Sequence, residues 1–252
     1  MVDYCDITVF VLERDIYARQ AIVSYLSWDR RTRVLGQAGS LYEMFSLITA
    51  DYPHTNPNVV MLDTGLAAKT EEIDKTIQFI LHKIPETRVI CLAHTPNAMM
   101  AMNALRSGAS GYLVRSEVGI ALASAVCFAF QHHFVVTRDV AAALTGDLSE
   151  SSSNLDILPA RRKYHGLTQR LEQALSLCVV EGLPAEIAAE EMGVSTSTVR
   201  SYIKEVYRIL EAEDDAMYPT TASPVERAFM RYSALEDGGH FPDFSSTLKP
   251  AA

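Results

Sequence analysis

The sequence predicts an α/β domain with a five-stranded, parallel, doubly wound sheet, followed by an all-α helix-turn-helix domain. Three observations carry this. Five apolar runs alternate with helical periods between residues 7 and 130, and strands alternating with helices build parallel sheets with right-handed crossovers. Val59-Val60-Met61-Leu62 runs straight into Asp63. That is the pattern of a strand buried on both faces, and its carboxyl end opens onto the edge where open α/β sheets keep their chemistry. After residue 166 the strands stop, and three helical periods follow, broken at Gly182-Leu183-Pro184 and Gly193-Val194.

The elements follow in order. Residues 7–12 (Ile-Thr-Val-Phe-Val-Leu) form the first strand and 16–28 a helix with apolar residues at Ile16, Ala18, Ala21, Ile22, Tyr25 and Leu26. A weaker strand covers 33–38, and Ser40 is placed to cap a helix over 41–50. The strand ending at Asp63 leads to a helix near 71–82, a strand over 88–93 and a Met- and Ala-rich helix over 97–106 that Gly108 ends. A short strand covers 111–114. The last helix, 118–130, is apolar nearly all round. One sheet face covers only one side of a helix, so this one needs a second neighbour, and a homodimer contact through 118–130 is one way to supply it. The divisions that result are a (βα)5 domain over 1–132, a linker with a short helix over 133–166, the helix-turn-helix over 167–216 and a partly disordered extension over 217–252.

The totals narrow the function. The formal net charge of the 252 residues is -9, so a nucleic-acid role requires a local cationic patch. No apolar run reaches the roughly 18 residues of a membrane span, and no basic leader precedes an apolar core. The four cysteines, Cys5, Cys91, Cys127 and Cys178, are scattered without metal spacing, as expected of buried thiols in a reducing cytosol. No Gly-x-Gly-x-x-Gly, P-loop or Ser/His/Asp constellation is present, so neither an enzyme nor a cofactor or metal site is expected. His132-His133 reads as a polar helix end.

On the third helix of the second domain, Val199, Ile203, Val206, Tyr207 and Leu210 share one face, and Arg200, Lys204 and Arg208 line another. With Thr196, Thr198 and Ser201 beside them, these cations suit a DNA major groove. Between Thr168 and Ala216, however, four basic residues face ten acidic ones, a net of -6. A solvated helix face in a small bundle therefore stands as the alternative, and DNA binding would call for two copies acting together. Arg161-Arg162-Lys163 upstream is either a solvated stretch or a phosphate contact.

The order Leu167-Thr168-x-Arg170, Glu181-Gly182-Leu183-Pro184-Ala185-Glu186-Ile187-Ala188, Met192-Gly193-Val194-Ser195, Thr198-Val199-Arg200 and Tyr207-x-x-Leu210 resembles the LuxR-type DNA-binding domain. The resemblance implies four helices, with the third in the major groove and Arg200, Ser201 and Lys204 at base-reading positions. Two positions depart from the pattern. Leu171 replaces a glutamate of a capping box, and Ile209 replaces a lysine that would contact phosphate.

With Pro57-Asn58-Val59-Val60-Met61-Leu62-Asp63 and Gly108-Ala109-Ser110-Gly111-Tyr112-Leu113-Val114, residues 6 to about 216 resemble a NarL/FixJ-type response regulator with a flavodoxin-like receiver. The resemblance implies that Asp63 occupies the phosphoryl-acceptor position, served by a histidine kinase and Mg²⁺. The rest of that pocket is substituted. Glu13 and Arg14 stand where two carboxylates would hold Mg²⁺, Ala93 replaces a hydroxyl, Arg115 replaces a lysine, and only Tyr112 matches beside Asp63. The substitutions leave the kinase partner open and predict an ion pair of Asp63 with Arg14 and Arg115 in place of metal. The expected function is a phosphorylation-independent transcription regulator; the alternative is a protein-interaction or ligand-sensing pseudo-receiver that no longer binds DNA.

Overall fold

The computed structural model describes residues 7–51, 56–66, 70–144, 155–214, 218 and 221–236. By its contacts the chain divides into two compact units that meet between Leu158 and Pro159 in sequence.

The first unit is the expected doubly wound α/β fold. It contains β1 (Ile7–Leu12), α1 (Ile16–Ser27), β2 (Thr32–Ala38), α2 (Leu41–Asp51), β3 (Val59–Asp63), α3 (Thr70–Lys83), β4 (Arg88–Ala93), α4 (Ala98–Arg106) and β5 (Gly111–Val114). Every residue of β1, β3 and β5 is buried, as two-sided helix cover requires. All pairings are parallel, in the order β2-β1-β3-β4-β5. The carboxyl ends of β1, β3 and β5 therefore lie along one edge.

The expected single helix over 118–130 is broken. α5 (Arg115–Val118) and a 3-10 turn (Gly119–Ala121) precede α6 (Leu122–Gln131), because Gly119 adopts φ 49°. Such a backbone suits glycine and interrupts a helix. The second neighbour that an all-apolar helix needs is found inside the chain. α6 packs on α1 as well as on the sheet, and Arg31, held by Asp29 at 2.6 Å, donates to Ser124 at 2.7 Å. The apolar surface of 118–130 thus has a second neighbour within the chain and does not by itself call for another copy.

The segment expected as a linker extends the sheet instead. β6 (Val135–Val136), α7 (Arg138–Leu144) and β7 (Asp156–Ile157) continue the order beyond β5, so the described sheet has seven strands, not five. β6 approaches β5 closely at Gly111, where a Cβ would lie 3.1 Å from the Val135 carbonyl oxygen. Phe134, Val136, Val140 and Leu144 join the same core as Phe10, Leu62 and Tyr112. The polar stretch 147–154 lies outside the described residues.

The second unit holds α8 (Gln169–Leu175), which runs on as a π-helical turn (Ser176–Val180), then α9 (Ala185–Met192), α10 (Thr196–Ala212) and α11 (Pro224–Tyr232). Ala174, Leu177, Ala188, Ala189, Met192 and Val199 form its core. α11 is part of this unit rather than an appendage. Ser223 and Glu226 close a capping box at its start, and Ala228, Phe229 and Met230 are buried. Leu235 then pairs antiparallel with Arg161, and Glu236 N–H donates to the Ala160 carbonyl at 2.8 Å. The unit thus reaches both upstream and downstream of the expected 167–216. Within the described residues, no helix is long and apolar enough to cross a membrane.

Candidate functional sites

Asp63 ends β3, Glu13 follows β1 and Arg115 follows β5, so the parallel topology gathers all three at one edge. Glu13 and Asp63 are 2% and 5% exposed. Buried carboxylates demand a partner, and one guanidinium nitrogen, Arg115 Nη2, serves both: it donates to Glu13 Oε2 and, at 2.8 Å, to Asp63 Oδ1. Backbone groups add to the shell. The Asp15 N–H donates to Glu13 Oε1 at 2.8 Å and the Gly65 N–H to Asp63 Oδ1 at 3.0 Å. Arg115 Nε is buried with no partner among the described residues.

The expected pairing of Asp63 with Arg14 is corrected. Arg14 is exposed and forms no ion pair among the described residues; Glu13 is the third member instead. The reason is local. The chain leaves β1 at residue 13, whose side chain stays buried, while that of residue 14 faces solvent. Asp15 points elsewhere: it caps α1, accepting the Ala18 N–H at 2.8 Å.

Ala93 is buried at the end of β4 and offers no side-chain donor. Tyr112 is 1% exposed. Burial, with Cys91 beside it, pushes its phenol up to about 12, against a hydrogen bond with Thr64 that lowers it. Buried Thr137, at the end of β6, accepts the Val114 N–H at 3.2 Å. The residues beyond β5 therefore hold its end from the side opposite β4, a contact that sequence alone did not suggest.

In the second unit, Ser195 caps α10 by accepting the Thr198 N–H at 3.1 Å, and its hydroxyl also bonds those of Ser197 and Thr198 at 2.8 Å. Val199, Val206 and Leu210 face the core and Arg200, Ser201, Lys204 and Arg208 face outward, as the spacing predicts. Thr196 and Thr198 are half-buried. Two of the three cations already have acids: Arg200 Nη2 donates to Glu186 at 2.8 Å, and Arg208 Nε to Glu205 at 2.9 Å. Lys204 has no ion pair among the described residues. Glu186 lies fourteen positions from Arg200, too far for any sequence pattern to pair them.

The two family departures acquire packing reasons. Ile209 is buried, and a Cβ on Gly166 would meet its Cγ2 at 3.0 Å, so position 209 belongs to the interior rather than to a phosphate-facing surface. Leu171 is buried as well, and Thr168 caps α8 without a side-chain hydrogen bond. Arg161 and Arg162 are committed internally. Arg162 pairs with buried Asp214 at 2.6 Å, and the Arg161 guanidinium lies 4.4 Å from the Tyr232 ring centroid. The Tyr164 hydroxyl, within the same cluster, donates to the Arg231 carbonyl at 2.8 Å.

The pattern of the family described as sigma-70, region 4 matches residues 165–210. Across the chain, the sequence is 26% identical over 222 residues to the DNA-binding transcriptional activator DevR/DosR of Mycobacterium tuberculosis (strain ATCC 25618 / H37Rv), covering 88% of this chain and 96% of that one. It is 21% identical over 203 residues to the nitrate/nitrite response regulator protein NarL of Escherichia coli (strain K12), covering 80% and 88%. Among solved structures, the RcsB response regulator of Salmonella typhimurium aligns over 84% of this chain and 95% of its own, with TM-score 0.47 and 16% identity.

Proposed function

We propose that this chain, which has the make-up of a NarL-type response regulator ending in a helix-turn-helix, is a sequence-specific DNA-binding transcription regulator whose receiver-like unit works without phosphoryl transfer. One observation carries the second half: Arg115 bonds Glu13 and Asp63 at once. Phosphoryl transfer to an aspartate relies on a cation that bridges carboxylates and phosphoryl oxygens. Here a guanidinium fills that bridging place. A Mg²⁺ ion does not fit the residues present. Both inward carboxylates already hold Arg115, the neighbouring Arg14 brings positive charge, and the buried side-chain atom of the pocket left without a hydrogen bond among the described residues, Arg115 Nε, is a donor. Asp63 is then a structural acceptor.

The DNA half rests on the outward stripe of Arg200, Ser201, Lys204 and Arg208 along a capped 17-residue helix. Glu186 and Glu205 offset two of its cations, so a single copy binds weakly and two copies act together. The same offset favours a second reading, an interaction module that has left DNA. A gel shift with the DNA upstream of the chain's own gene separates the two. Salt-sensitive binding, weakened in Arg200→Ala and Lys204→Ala, supports the regulator; no binding at low salt supports the interaction module. On the same sample, Mg²⁺ and a small-molecule phosphodonor are expected to leave intact mass and DNA affinity unchanged. A stoichiometric mass gain lost in Asp63→Ala would sink the phosphorylation-independent reading.

A further inference from the structure

We propose that the cleft at the amino-terminal edge of β4 and β5 binds a small organic anion, with the anion's carboxylate or phosphate group on Arg88 and its apolar body against Leu105 and Ala109. This edge is the opposite one from Asp63, and the inference does not depend on how that pocket is read. The cleft encloses about 380 Å³ and is lined by Arg88, Leu105, Ala109, Ser110, His132 and His133, with Gly108 and Gln131 completing it. Its size falls within the roughly 300–1,000 Å³ of small-ligand sites, which pair apolar walls with a few polar groups.

The charge balance points to an anion. Arg31, Arg115 and Arg162 each meet a carboxylate. Arg88 is half-buried and meets none among the described residues. Its Nη1 donates to the His132 carbonyl at 2.9 Å and, more weakly, to that of Ala129 at 3.5 Å. Its Nε and Nη2 remain, beside the Phe130 ring 5.0 Å away. Burial lowers the pKa of this guanidinium, a cost that a bound oxyanion offsets. Among the described residues, no carboxylate lines the cleft.

The other polar groups are pre-set. The His132 ring stacks on Phe128 at 3.9 Å, and its Nδ1 lies 2.7 Å from the Phe128 carbonyl oxygen. A carbonyl only accepts, so Nδ1 carries a hydrogen, and Nε2, the nitrogen left for a ligand, donates to an anion when the ring carries both protons. The Ser110 hydroxyl and the His133 ring make no hydrogen bond to other described residues. A guanidinium fork with a ring nitrogen and a hydroxyl nearby suits a planar or tetrahedral oxyanion.

The test is titration calorimetry on the full chain with benzoate, phenyl phosphate and neutral benzamide, with the ring-proton signal of His132 followed by NMR. Saturable binding of benzoate or phenyl phosphate is expected, with the His132 signal moving and benzamide at least tenfold weaker; the tighter of the two anions identifies the head group. Arg88→Met is expected to weaken binding at least tenfold. Because Arg88 also braces α6, His132→Phe provides a second variant that keeps the ring stack and loses Nε2, with about a fivefold loss expected. No saturable binding of either anion, equal binding of benzamide, or affinity unchanged in both variants overturns the site.

Discussion

Arg115 and Arg88 stand at opposite edges of one parallel sheet and face opposite charge balances. Arg115 has two buried carboxylates and, at Nη2, hydrogen bonds to both. Among the described residues, Arg88 donates to backbone carbonyls and lies beside the Phe130 ring, in a cleft that no described carboxylate lines. The edge where a parallel sheet conventionally places its chemistry is thus the one internally satisfied, and the other edge retains unspent positive charge. An acidic residue at the end of a strand marks a possible site; whether it remains available depends on what the neighbouring strand ends contribute.

Substitution tests this contrast, starting with the largest effect. Arg115→Met leaves two nearly inaccessible carboxylates unpaired and is expected to destabilise the α/β unit by about 3–5 kcal/mol in urea unfolding. Combining it with Glu13→Gln and Asp63→Asn is expected to recover most of that loss, since no charge is then stranded. A full-sized loss persisting in the triple variant would mean that packing, not charge, holds this edge.

Next comes alkaline pH. The Tyr112 phenol is raised to about 12 in the folded chain. The unfolded chain, near 10, loses its phenolic proton first. The stabilisation is therefore complete below pH 10 and disappears as pH rises through 12, on the order of 2–3 kcal/mol. Unfolding curves of Tyr112→Phe between pH 9 and 12 are expected to be flatter by that amount; parallel curves would place the titration elsewhere.

Arg88→Met removes a lone cation and its hydrogen bonds to backbone, and about 1–2 kcal/mol is expected. A loss equal to that of Arg115→Met would erase the contrast between the edges. The smallest effect belongs to the exposed Arg200–Glu186 pair. A double-mutant cycle on stability is expected to give a coupling below about 1 kcal/mol, which leaves Arg200 able to exchange its partner for a ligand.

The doubly wound order, Asp63 at a strand end and α9 over its full length were legible because each rests on a repeated pattern: long apolar runs, helical spacing and Gly-containing stops. β6 and β7 were not. Two residues apiece give no alternation to read, and their place in the sheet depends on Gly111 admitting the Val135 carbonyl. Charge was half legible. That Arg115 would hold Asp63 follows from the residue types, yet the third partner required knowing that residue 13 points inward and residue 14 outward. α11 lies in the stretch expected as a partly disordered extension, and its membership of the second unit depends on long-range contacts, Arg161 with Leu235 and Arg231 with Asp214, that no local signal reports.

The pairing of Arg161 with Leu235 also sets an order of assembly. Every strand of the sheet has been synthesised by residue 157, and that unit can close while translation continues. The helical unit cannot: the partner of its first segment is 74 positions later in the chain. Until Leu235 leaves the ribosome, α10 has α8 and α9 but not a settled α11 against it, so a nascent chain holds a finished sheet well before it holds a finished helix-turn-helix unit.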